Sequence, residues 1–235
     1  MRVRRVLTTR AGGVSRGAYE SFNLGHGVGD EPSAVDANRR RLAEGIGLAP
    51  RRLVWMSQVH GTSAAYVDGP RPAAVPDTDA LVTDRVSLAL VALTADCVPI
   101  LLADPTAGVI AVAHAGRPGA RAGIATAVLS AMAEHGARPG RTEVLLGPAV
   151  CGACYEVPAT MQADVEERLP GSACRTRRGT TGLDLRAGLH RQLAAAGVAR
   201  IGVDPRCTAE DPDLYSYRRD GTTGRLAAVT WLDPS

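Results

Sequence analysis

Lysine is missing altogether: all 27 basic side chains are arginine, set against 24 Asp and Glu, for a formal charge of +3. Aromatics are scarce too, at 3%. Nucleic-acid binding calls for a basic cluster with interleaved aromatic rings, and the scattered arginines supply neither, so no nucleic-acid partner is expected. No apolar run reaches the ~18 residues that a membrane span requires, so no membrane association is expected. Residues Met1 to Arg10 carry no apolar h-region of a secretory signal. Five cysteines are an odd number in a mid-sized chain and do not read as a disulfide framework. A cytoplasmic protein is the resulting expectation, and a monomer is expected without any feature of the sequence that fixes the oligomeric state.

What is present is an ordinary globular composition, 45% hydrophobic and 22% charged over 235 residues, enough to bury a sizeable core. Short β-branched runs alternate with Ala/Leu-rich stretches of helical period, which predicts a mixed α and β class. Helices are predicted over residues 32–48, 118–135, 159–169 and 184–197, the last capped by Asp184. Strands are predicted over 53–59, 87–93, 98–103, 109–113 and 144–146, and near Ile201 and Ala227. No linker or repeat divides the chain, so residues 1–235 read as one domain.

The segment Asp104-Pro105-Thr106-Ala107-Gly108 is strong turn chemistry between two of these strands. If residues 104–107 form a four-residue loop, Ala103 faces Gly108, and the same register places Cys97 opposite His114. Their Cβ atoms would lie ~4.5–5.5 Å apart on one face of the sheet, within reach of a common metal ion. A slip of one residue would put them on opposite faces. His60, before Gly61, is the best third ligand. His26 sits in a Gly-rich turn, His135 at a helix end and His190 on a polar helix face. A hydrogen-bonded strand-end histidine and a buried core thiol are the bland alternatives for His60 and Cys97.

The motifs Thr9-Arg10-Ala11-Gly12-Gly13-Val14-Ser15, Ser21-Phe22-Asn23-Leu24-Gly25, Ser57-Gln58-Val59-His60-Gly61, Thr94-Ala95-Asp96-Cys97-Val98-Pro99 and His114-Ala115-Gly116 recur in one order over almost the whole chain. With Gly147-Pro148, Tyr155-Glu156-Val157, Cys207-Thr208 and Ser216-Tyr217-Arg218-Arg219-Asp220-Gly221, the set resembles the bacterial polyphenol oxidase or laccase-domain family, also described as peptidoglycan-editing factors. The resemblance implies an α+β fold, a layered sandwich of mixed β-sheets flanked by helices, related to cysteine hydrolases. It also implies zinc on His60, Cys97 and His114, with these three as the catalytic residues. Two segments depart from the family pattern. His114-Ala115-Gly116-Arg117-Pro118-Gly119 replaces His-Ala-Gly-Trp-Arg-Gly, and His26 stands one place earlier than usual after Asn23-Leu24-Gly25.

Zinc has no redox chemistry, so phenol oxidation would need copper in its place. The leading expectation from the resemblance is a zinc-dependent purine nucleoside phosphorylase acting on adenosine, inosine and methylthioadenosine, with adenosine deaminase activity. Its partners would be the nucleoside and phosphate. The alternatives are a Cys97–His114 hydrolase acting on a peptidoglycan precursor and a copper-dependent polyphenol oxidase. Arg117, Arg121, Arg218 and Arg219 are candidate phosphate or substrate contacts, since the guanidinium fork suits oxyanions. Asn23 and Gln58 are candidate contacts to base or ribose, with a structural turn or strand-end role as the alternative for each. Asp77, Asp79 and Asp96 are candidates for proton transfer, although Asp96, next to Cys97, would point to the opposite strand face unless the chain kinks there and reads rather as a turn-forming or supporting residue. Cys151-Gly152-Ala153-Cys154 is a lone Cys-x-x-C without a second pair, and with the isolated Cys174 and Cys207 it reads as small buried residues in turns.

Overall fold

The structure is a computed structural model that describes residues 1–234. Its strands and helices follow one another as β1 (Arg2–Leu7), α1 (Pro32–Gly45), β2 (Leu53–Val54), β3 (Ala64–Tyr66), β4 (Ala80–Thr83), β5 (Ala89–Thr94), β6 (Val98–Asp104), β7 (Val109–Ala115), α2 (Arg117–Ala122), α3 (Ile124–Ala133), β8 (Glu143–Leu146), α4 (Ala159–Arg168), β9 (Ala173–Arg175), β10 (Thr181–Leu183), α5 (Leu185–Ala195), β11 (Arg200–Val203), α6 (Tyr217–Asp220) and β12 (Leu226–Asp233). They build a four-stranded sheet in the order β1-β12-β5-β2 and a six-stranded sheet in the order β11-β8-β6-β7-β4-β3; β9 and β10 form a separate pair. Both large sheets mix parallel and antiparallel neighbours, as the resemblance implies.

The layering follows from strands that are apolar on both faces. Leu101, Ala103, Ile110 and Val112 of the six-stranded sheet meet Leu90, Ala92, Ala228 and Leu232 of the other sheet between the two. The alternate residues Ile100, Leu102, Ala111 and Ala113 turn outward onto Ile124, Val128 and Met132 of α3 and Leu185 and Leu189 of α5. On the far side, Val91, Val229 and Trp231 are covered by Leu42 and Ala43 of α1. A central strand with a helix on one side and a sheet on the other shows no polar alternation, so β6 and β7 read as continuous apolar runs.

Three local expectations are corrected. The strand expected over 53–59 stops at Val54; Met56 makes only an isolated bridge to Val75, and the chain then turns, with His60 at φ 62°. The helix expected over 118–135 is two helices, broken where Gly123 adopts φ +96°. The β6–β7 register is displaced by two residues, so that Ala103 faces Ile110 and Pro99 faces His114. The cause is Asp104. It belongs to the strand, and its carboxylate accepts hydrogen bonds from the N–H groups of Thr106 and Ala107, so the loop is residues 105–108, with Gly108 at φ +68°. A displacement of two preserves the face, because side chains alternate with period two. Cys97 and His114 therefore stay on one side of the sheet, as diagonal rather than direct neighbours.

Candidate active site

The open ends of β6 and β7 carry Cys97, one residue ahead of β6, and His114, near the end of β7. His60 reaches them from the turn after β2, and one ligand atom from each of the three lies within 4.8 Å of the others. His60 Nε2 is 3.8 Å from Cys97 Sγ, and the two imidazoles meet edge to face with centroids 4.8 Å apart. Gly116 is where they converge: a Cβ there would collide with the His60 ring and lie 3.2 Å from Cys97 Sγ. The spacing suits one metal ion, since sulfur and nitrogen ligands of a tetrahedral zinc stand roughly 3.5 Å apart. The three are donors of the type zinc and copper accept, and a tetrahedral ion held by them would keep a fourth position open.

Asp79 organises this arrangement. Fully buried at the start of β4, it accepts backbone hydrogen bonds from Val59 (3.2 Å), His60 (3.1 Å) and Gly61 (2.7 Å), which fixes the turn that presents His60. It also binds His114 Nδ1 at 2.9 Å, which leaves Nε2 of that ring for the trio. Burial alone would raise the Asp79 carboxyl; the hydrogen bonds from His114, Gly61 and Val59 outweigh it and hold the group below the usual carboxylate range. The same contest governs its neighbours. Burial pushes the Cys97 thiol up, but hydrogen bonds and charge from His114 and His60 bring it down to about 6. Burial disfavours the His114 cation, yet Asp79 and Cys97 raise it to about 9.

Above the trio lies a cleft of about 1020 Å³. Of the expected substrate residues, Gln58, Arg117 and Arg218 line it. The Arg218 guanidinium sits 5.0 Å over the Tyr155 ring, and its backbone N–H donates to Asp96. The Gln58 amide is spent on the Leu93 backbone, donating to its carbonyl and accepting from its N–H, so it anchors the His60 turn to β5. The other three assignments are corrected. Asn23 is wholly buried and spends its amide on Gly25, Asp30 and the Arg225 N–H, holding the wall of residues 23–30. Arg121 is turned away onto Asp164. Arg219 donates to the carbonyls of Thr208, Asp211 and Leu214 and pairs with Asp220.

Asp96, at φ 91°, accepts from the hydroxyls of Thr208 and Ser216; it shapes the turn beside Cys97 rather than facing His114. Both departures from the family pattern lie in the cleft, since His26 and Arg117 line it. Sequence reasoning missed Arg39, Trp55 and Arg225, which also line it. Arg39 lies 3.8 Å over the Trp55 ring, and burial lowers its guanidinium to about 10. Only the polar placement of Arg39 amid the apolar positions of α1 hinted at it.

Two mixed sheets between helical layers, with a His–Cys–His trio where the hairpin opens, define the class to which the sequence motifs pointed. The chain belongs to the multi-copper polyphenol oxidoreductase laccase family, whose model matches residues 4–233. It is 58% identical to a purine nucleoside phosphorylase of Corynebacterium glutamicum, over 98% of this chain and 94% of that one. It is 54% identical to a purine nucleoside phosphorylase of Mycobacterium tuberculosis, over 99% and 93%. Among solved structures it is similar to YlmD from Geobacillus stearothermophilus, with a TM-score of 0.92 at 38% identity, covering 98% of this chain and 92% of that one. It is also similar to YfiH from Bacillus licheniformis, with a TM-score of 0.91 at 29% identity, covering 98% and 92%.

Proposed function

We propose that the chain is a zinc-dependent purine nucleoside phosphorylase, acting on adenosine, inosine and methylthioadenosine, with adenosine deamination as a second activity, and that it works as a cytoplasmic monomer. The observation that carries this reading is an arginine-walled cleft over a convergent His60–Cys97–His114 trio, in a chain 54–58% identical to proteins named purine nucleoside phosphorylase. In phosphorolysis a phosphate oxygen bonds to ribose C1′ as the bond from C1′ to the purine nitrogen breaks, and the departing base takes up a proton. A zinc ion on the trio would supply positive charge for polarising an oxygen, without redox chemistry. Arg117 and Arg218, both close to Tyr155, supply cationic forks for a phosphate. Trp55 and Tyr155, each with an arginine over one face, supply aromatic surface beside the base and ribose. Asp79 holds His114 in one tautomer, and Gln58 holds the His60 turn, so that both rings keep their position during turnover.

Incubation of the purified protein with adenosine or inosine, with and without phosphate, tests the reading. Adenine or hypoxanthine should appear with ribose 1-phosphate only when phosphate is present, and ammonia should be released from adenosine. Base release independent of phosphate would overturn the phosphorylase half.

A second reading has its own support. Cys97, His114 and Asp79 form a nucleophile–base–orienting series of the kind found in cysteine hydrolases. Such a site would act on an amide of a peptidoglycan precursor and would not require His60. His60→Ala therefore separates the two: the phosphorylase reading expects loss of activity, the hydrolase reading retention. Colour with phenols only after copper loading would mark polyphenol oxidation as a property of the substituted site.

A further inference from the structure

The cysteines set aside in the sequence converge. Cys151 and Cys154, in the turn after β8, meet Cys207 and Glu210, in the segment after β11, and one ligand atom from each of the four lies within 4.8 Å of the others. The isolated bridge between Ala149 and Cys207 brings the two segments together, reinforced by the Thr208 N–H on the Ala149 carbonyl. Each segment then makes the same tight turn. The Cys154 N–H bonds the Cys151 carbonyl at 3.0 Å, and the Glu210 N–H bonds the Cys207 carbonyl at 3.1 Å. Two ligand pairs with an x-x spacing, each on a hydrogen-bonded turn, face one another, which is the arrangement of four-ligand structural zinc sites. The Cys151 N–H points at Cys207 Sγ at 3.3 Å, and Cys154 Sγ is 3.3 Å from Glu210 Oε1. Cys174 stands apart, with its thiol on the Gly152 carbonyl.

We propose that Cys151, Cys154, Cys207 and Glu210 form a second metal site, a closed structural zinc clip distinct from the cleft. Three thiolates are soft donors that select zinc over magnesium or calcium, and zinc also accepts a carboxylate, a hard donor, as its fourth ligand. On binding, three Zn–S bonds and one Zn–O bond form as each thiol releases its proton to solvent. The complex carries a net charge of −2, and Arg177, already paired with Glu210, offsets part of it. With four protein ligands no position remains for substrate, so the role is structural. The clip bears on the cleft nonetheless. Tyr155, next to Cys154, lines it, and Thr208, next to Cys207, holds Asp96 through its hydroxyl at 2.6 Å. Zinc here would tie two cleft walls just beyond the β8–β11 pairing, where the sheet gives way to the isolated Ala149–Cys207 bridge.

The test is zinc content of protein purified under reducing conditions from zinc-supplemented medium, in the native chain and in Cys154→Ser, Glu210→Gln and Cys97→Ser. With zinc on the trio as well, the clip expects about two zinc ions in the native chain and about one in Cys154→Ser; with a metal-free cleft it expects about one and none. Loss of zinc in Cys154→Ser with retention in Cys97→Ser supports the clip even if the cleft proves metal-free. A native chain whose zinc is removed by Cys97→Ser and untouched by Cys154→Ser overturns it, as does a disulfide among Cys151, Cys154 and Cys207 found by mass spectrometry. Should Cys154→Ser fail to fold, cobalt substitution of the native chain decides: absorption from several thiolates on one cobalt, weakened in Glu210→Gln, supports the clip, and a spectrum of one thiolate alone overturns it.

Discussion

The two ends of the β6–β7 hairpin each bury a carboxylate, and the difference between them shows how one structural device becomes a functional one. At the turn, Asp104 accepts N–H groups from Thr106, Ala107 and Arg138 and binds Arg141 Nε at 3.0 Å. At the open end, Asp79 accepts N–H groups from Val59, His60 and Gly61 and binds His114 Nδ1 at 2.9 Å. Each has zero exposure and gathers three backbone donors plus one basic side chain. Arginine stays charged, so Asp104 only fastens a turn. An imidazole has a second nitrogen, so the group that Asp79 fastens still has chemistry to offer. Position in the fold supplies the rest: His114 faces Cys97 and His60, while Arg141 faces the Gly136 carbonyl.

Experiments can break this comparison at either end. Cys97→Ser should have the largest effect, reducing nucleoside turnover to background in a folded protein; retained turnover would remove the trio from the chemistry. Asp79→Asn follows, with an expected loss of about 10–100-fold in metal affinity or activity, as for other groups that orient a metal-binding histidine. Its readouts are bound zinc by mass spectrometry and kcat by assay of base release.

Asp104→Asn should do the reverse, lowering stability by about 1–3 kcal/mol in urea unfolding while kcat stays at the native value. A pH series sharpens the same point. Burial raises the Asp104 carboxyl, but the hydrogen bonds from Ala107, Arg138 and Arg141 prevail, and its folded-state pKa lies below the unfolded value. Its contribution is therefore present above the unfolded carboxylate range and lost as pH falls through the lowered folded value. Thermal melts below pH 4 should accordingly fall more steeply in the native chain than in Asp104→Asn. The smallest effect belongs to Arg121→Ala. With its guanidinium on Asp164, outside the cleft, the variant should show native KM for phosphate; a raised KM would return Arg121 to the substrate site.

How much of this was legible depends on the range of the interactions. The hairpin was readable from one turn, and its two-residue error was harmless because alternation preserves the face. The strand expected over 53–59 failed because β propensity competes there with Asp79, a partner about twenty residues away that draws three successive N–H groups to one carboxylate. Asn23, Arg121 and Arg219 had the right chemistry for a ligand, but hydrogen-bonding side chains serve the protein's own backbone and carboxylates equally well. Cys207 looked isolated because its neighbours, Cys151 and Cys154, lie on a different loop.

The sequence alone determined the class of fold, the hairpin and the motif family, because apolar periodicity, turn chemistry and residue order are local properties. Tertiary structure alone decided which carboxylate orients His114, which arginines face the cleft and which cysteines meet. Those outcomes depend on the packing of segments far apart in the chain, where a shift of a few ångströms separates a ligand from a structural side chain.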